Sequence, residues 1–196
     1  MLNLPAENRQ PKTENILMTR PDAELLLETW IDNPALRHHC RMVSAAMLAY
    51  ADKLGKDAPT RHQWGLAGLL HDLDWEKHPD EHPTYALTQI LPGRGLWDDV
   101  LDAIKAHAPE RTGKHPETEI ERYLFACDEL SGFMHAVSLM RPEGFVGMSA
   151  KSVTKKLKDP KFAAAVSRDD IRLGAELIGR ELDEHILFLA GVFTSN

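Results

Sequence analysis

Cysteine is nearly missing from this 196-residue chain, which has only Cys40 and Cys127. Two thiols cannot build a disulfide framework, and nothing else points to an oxidising compartment. Long apolar runs are missing as well. No stretch approaches the ~18 consecutive apolar residues that a membrane span needs. Met1 to Thr19 has no apolar centre of the kind that marks a secretory signal. These absences lead to the expectation of a cytoplasmic protein that does not engage a membrane. Positive charge is also in short supply, with 23 Lys+Arg against 30 Asp+Glu and a formal net charge of -7. Affinity for bulk nucleic acid comes mainly from neutralising phosphates, so a chain of this charge is a poor general binder of it. Strand-like alternation, internal repeats and low-complexity tracts do not occur either.

What remains is helical periodicity almost throughout. Residues 1–20 show no period and are expected to form a poorly ordered leader; residues 21–196 read as one domain. Pro21, followed by Asp22 and Glu24, suits a helix start that runs to about Asn33-Pro34. Further helices are expected over Pro34–Leu54, Thr60–Leu73, Pro83–Leu91, Trp97–Ala108 and Glu117–Val137. Beyond them lie a short basic helix over Ala150–Lys158 and a long one over Arg168–Leu189, opened by Ser167 with Asp170. Gly65 and Gly68 inside the third helix lower its propensity, which points to close packing against a neighbour. The fold class is all-α, a helical bundle.

Histidine is abundant, at ten residues, and its placement is uneven. His39 lies between Leu36 and Val43 on one helical stripe. His71 follows Trp64, Ala67 and Gly68 at spacings of 7, 4 and 3, with Asp72 next to it. His82 opens a helix, His107 follows Val100 and Ile104, and Asp128 follows Leu124. A carboxylate on a core-facing stripe suffers desolvation unless it is paired or coordinates a metal. Imidazole with carboxylate suits first-row divalent metals. His38 competes with His39 for this role and His78 with His82. The stripe favours His39, and the helical pattern behind His82 favours that residue. His62, His115, His135 and His185 read as surface or structural.

In this order, His39, His71-Asp72, His82, His107 and Asp128 resemble the H…HD…H…H…D signature of the HD-domain superfamily of metal-dependent phosphohydrolases. The run Trp64–Asp72, His82-Pro83 with Ala86 and Ile90-Leu91, and Ile104–His107 are similar to the segments that flank the signature there. The resemblance spans about Leu36 to Leu130. It implies an HD-like bundle with a metal-site core over 36–130 and additional C-terminal helices over 149–196. It further implies one or two divalent ions (Mn, Fe, Mg, Co, Ni or Zn). His39, His71, Asp72 and Asp128 would hold the first, and His82 and His107 the second, with Asp72 bridging. His71 and Asp72 would then be catalytic through a metal-activated water that attacks a small phosphorylated substrate such as a nucleotide. The cyclic-dinucleotide phosphodiesterase branch has a Lys where Trp75 stands and a Gly-Tyr-Pro that is missing here. The Glu of the mononuclear deoxynucleotidase branch is one residue out of register with Glu76. Neither specificity is implied. The same ligand set also resembles di-iron oxygenases of this superfamily, and a non-catalytic, metal-stabilised module is the remaining alternative.

Other residues carry weaker expectations. Lys151 to Arg168 holds six basic residues and one acid. Lys151 and Lys155, with Lys105, are the candidates for contact with a phosphate, although a charge run is more often a solvated helix face. Asp74, Glu76 and Lys105 either orient ligands, touch substrate or are solvated loop residues. Cys40 and Cys127, next to His39 and Asp128, read as packing. Ser131-Gly132-Phe133 either lines a pocket or marks a bend. The oligomeric state is not legible.

Overall fold

In the computed structural model, residues 17–195 are described; the leader expected over residues 1–20 lies, up to residue 16, outside the described residues. Its last residues are part of the fold instead. Met18 is buried and its amide donates to Gly95 O at 3.0 Å. Thr19 and Asp22 form a reciprocal capping box that opens α1, Arg20–Trp30.

The remaining helices start on the residues that local chemistry favours. Asn33 Oδ1 accepts from Ala35 N and opens α2, Pro34–Lys53. Asp57 Oδ1 accepts from Thr60 N and opens α3, Ala58–Leu70. Each side chain satisfies a backbone N–H that the helix leaves unpaired, and the proline in the first turn of each helix has none to lose. Next come α4, Asp98–Ala106, and the single turn α5, Pro109–Thr112. Thr118 and Glu121 box the start of α6, Glu119–Ser138. Ser149 caps α7, Ala150–Leu157, and Ser167 caps α8, Arg168–Leu177; α9 spans Leu182–Thr194. No strand occurs among the described residues.

Two expected helices take a different form. The segment expected as Pro83–Leu91 is a π-helical turn over Ala86–Ile90, in which Leu91 N bonds to Ala86 O. The amide of Ala86 is turned onto Asp74 Oδ2 at 2.7 Å, so it is drawn out of the ordinary ladder and the turn widens. The single helix expected over Arg168–Leu189 is two. Gly179 adopts φ +64°, and Arg180 N returns to Ala175 O at 3.0 Å, a glycine C-terminus that stops α8.

Helices α2, α3, α4 and α6 form the central bundle: α2 packs on α3 and α6, and α4 packs on the same two. α1 lies outside against α3, α8 against α6, and α9 joins α2 to α7. Leu27, Met47, Tyr50, Leu66, Leu69, Leu70, Ile104, Leu124 and Phe133 fill the interior with essentially no exposure. The close α2–α3 contact needs Gly68, as expected: a Cβ there would meet the Ser44 backbone at 2.8 Å. This contact sets the ends of α2 and α3 side by side.

Candidate metal centre

All six residues of the signature meet at one end of the central bundle. His39 projects from α2, His71 caps the C-terminus of α3 and Asp72 follows it. His82 precedes the π turn, His107 closes α4 and Asp128 comes from α6. His39 Nε2 lies 3.2 Å from His71 Nε2 and 3.0 Å from Asp128 Oδ1. His71 Nε2 is 3.3 Å from Asp128 Oδ1. His82 Nε2 and His107 Nε2 face each other at 3.0 Å. Asp72 stands between the two groups. Its Oδ2 lies 3.4 Å from His71 Nε2 and 3.6 Å from His39 Nε2; its Oδ1 lies 3.5 Å from His82 Nε2 and 3.8 Å from His107 Nε2.

The ring tautomers follow from the far sides of the imidazoles. His71 Nδ1 meets Gly68 O at 3.0 Å, and His107 Nδ1 meets Ile104 O at 2.6 Å. Carbonyls only accept, so each Nδ1 carries the proton and each Nε2 offers a lone pair. His82 Nδ1 is held by the fully buried Asp74 carboxylate at 2.7 Å, with the same result. Lone pairs of His82 and His107 about 3 Å apart repel unless something positive sits between them. Ligand atoms about 2.1 Å from a shared ion lie about 3 Å apart when they subtend a right angle. The donor set therefore fits one ion among His39, His71 and Asp72, with Asp128 Oδ1 beside them, and another among Asp72, His82 and His107.

Protons can take the cation's place. Burial opposes a charge on His71, but the Asp72 and Asp128 carboxylates outweigh it and raise the ring's pKa to about 9. Burial likewise opposes ionisation of Asp72 and Asp128. The surrounding imidazoles overcome it and hold both carboxyls well below the usual carboxylate range. Glu129, next along α6, goes the other way: burial first and the neighbouring Asp128 second push its carboxyl up to about 8.

A cavity of about 420 Å³ opens onto the cluster, lined also by Trp75, Glu110, Arg111, Phe125, Glu129 and Gly132. Ala165, Val166 and Asp170, from the α7–α8 connection and the start of α8, complete its lining. Lys105, Lys151 and Lys155 are exposed and do not line this cavity. Asp74 proves to be an orienting residue. Glu76 accepts from the Asp32 and Asn33 amides at 2.8 and 2.9 Å and ties down the α1–α2 turn. His38 is exposed beside His135, and His78 stacks on Tyr85 at 3.4 Å. His185 is fully buried between Tyr50 and Ala126. Burial raises the Cys40 and Cys127 thiols well above their ordinary value, which suits packing. Arg111 and Glu129 escaped sequence reasoning. Arg111 follows His107 by four residues across a proline. Glu129 adjoins a ligand but sits a third of a turn round the helix from it, so neither had a periodic signal.

Among family models, that of the HD domain matches residues 36–132, about half the chain. No curated protein and no solved structure matches it.

Proposed function

The chain belongs to the HD-domain family, and from that membership we propose that it is a metal-dependent hydrolase of a small phosphoester, with a nucleotide among the candidates. The observation that supports this reading is the division of Asp72, one oxygen toward His39 and His71 and the other toward His82 and His107. His39, His71 and Asp128 would hold one ion and His82 and His107 another, with Asp72 serving both. Divalent ions held there would supply an acidified water and neutralise charge that develops on phosphoryl oxygens.

The chain's own residues do the rest. The Gly68 and Ile104 carbonyls and the Asp74 carboxylate hold three imidazoles as Nδ1–H tautomers, with each Nε2 free to ligate. Phe125, Ala165 and Val166 supply apolar walls that exclude water from the reacting group. A volume of about 420 Å³ lies at the small-molecule end of ligand pockets. It suits a small ester better than a polymer.

Metal analysis of the purified protein tests this reading. Two equivalents of divalent ion are expected, with loss of both in Asp72→Ala and hydrolysis of an aryl phosphate with Mn or Mg. A fully metallated Asp72→Ala protein would sink the ligand assignment. The donor set of four imidazoles and a shared carboxylate also suits a di-iron centre, which gives the oxygenase reading its support. Anaerobic iron loading followed by oxygen separates the two. An oxygen-dependent spectral change without phosphoester turnover would favour the oxygenase. A metal-raised melting temperature with no turnover of either kind would favour the non-catalytic module.

A further inference from the structure

The cavity contains one Lys or Arg side chain among its described lining residues, Arg111, and the ligand set does not use it. Its guanidinium lies over the Trp75 indole, 5.0 Å from the ring centroid. Its Nη1 donates to Pro79 O at 2.6 Å, and its Nε is 3.7 Å from Glu110 Oε1. Among the described residues Nη2 has no acceptor. Trp75 in turn stands edge-on to His82, with centroids 5.0 Å apart at 86°. The stack thus runs from a metal-side imidazole through an indole to a cation at the rim. Trp75 is 41% exposed, an unusual amount for so large an apolar ring unless something covers it.

A guanidinium held flat on an aromatic face loses little freedom on binding. Its fork matches two oxygens of one phosphate, which an ammonium cannot do. Phe125 and Val166 give the cavity an apolar lining, whereas Glu110 and Asp170 would repel a second anionic group. Resting on the hydrolase reading, we propose that Arg111, seated on Trp75, grips the phosphate of a small phosphomonoester at the cavity mouth. The carbon body of the ester would then lie against Phe125 and Val166. The lysines of the α7 region play no part in this contact.

Titration of the Mn-loaded protein with inorganic phosphate, followed by calorimetry, tests the assignment. Arg111→Met keeps the aliphatic packing on Trp75 and removes the charge. It is expected to weaken phosphate binding about tenfold or more, ~1.4 kcal/mol, with wild-type Mn stoichiometry and melting temperature. Arg111→Lys is expected to fall between the two, since it keeps the charge and loses the fork. With an aryl monophosphate, KM should rise in Arg111→Met while kcat stays within about twofold, the mark of lost ground-state binding. A merely structural role would lower the melting temperature and leave phosphate affinity alone. Phosphate affinity within about twofold of wild type in Arg111→Met, or no phosphate binding by the wild type, overturns the assignment while the metal reading stands. A wild-type chain that takes up no Mn overturns the hydrolase reading itself.

Discussion

Two helices of the central bundle end on a histidine in the same way. His71 closes α3 and His107 closes α4, and each ring gives its Nδ1–H to the carbonyl three residues back. Those carbonyls are among the ones a helix C-terminus leaves unpaired, so a single contact finishes the helix and sets the tautomer. His82 stands outside a helix and has no such carbonyl; Asp74 does the work instead. Asp74→Ala should weaken metal binding about 10–100-fold at the His82–His107 end, read as a drop from two ions to one on dialysis. Asp74→Asn retains an acceptor for His82 or Ala86 and should lose less. His185, outside the candidate ligand set, accepts from the Tyr50 hydroxyl at 2.7 Å and donates to Ala126 O at 3.0 Å. Burial pushes its pKa down to about 4. The unfolded chain takes up a proton near pH 6.5 and the folded chain does not, so stability is full above that pH and falls as pH drops toward 4. The loss reaches about 3 kcal/mol. His185→Phe should start less stable at pH 7 because Tyr50 loses its partner, yet show a shallower decline in melting temperature between pH 6.5 and 4. Equal slopes would contradict this account.

At the scale of elements, the contact of α2 with α3 matters most. Gly68→Ala forces a methyl to within 2.8 Å of the Ser44 backbone, where no flexible side chain can yield. The helices must separate, at a cost of about 1–3 kcal/mol, and the His39 and His71 nitrogens must separate with them. Both the melting temperature and the affinity for the first ion should fall, whereas Gly179→Ala, strained at φ +64°, should lower stability by about 1 kcal/mol and leave metal binding intact. Much of this level was legible in the sequence. Proline and cap residues marked most helix starts, and the glycines in α3 pointed to close packing. Two features escaped, one for a tertiary cause and one for a local one. The widened turn at Ala86–Ile90 depends on Asp74 reaching an amide twelve residues on. The break at Gly179 depends on a left-handed residue that apolar periodicity runs across without a mark. The six signature residues were legible because each sits on or beside an apolar stripe, where a polar side chain is conspicuous. The cavity's rim and lid were not, since exposed loop residues obey no period.

For the molecule as a whole, protons and metal compete for one crowded set of donors. His71, raised to about 9 without metal, adds stability that is full below about pH 6.5 and is lost as pH rises through 9. The metal-free protein should therefore become less stable over that window through this group. Metal must displace the same proton, so its affinity should rise with pH. At 1,000 times its Kd, a bound ion adds about 4 kcal/mol to folding. Melting curves with Mn and with chelator, taken from pH 6.5 to 9, should diverge as pH increases; a constant gap would argue against ligation by His71. Arg168 donates to the carbonyls of Asp159, Phe162, Ala163 and Val166 and lies over the Phe133 ring at 5.1 Å. One side chain thus fastens the 159–167 loop, which lies outside the matched residues 36–132 and carries Ala165 and Val166 into the cavity. Part of the surface that would meet a guest is therefore set by a stretch of chain apart from the one that carries the six candidate donors. Rewriting residues 159–167 around an intact Arg168 should change which ester is accepted and leave ion uptake as it was.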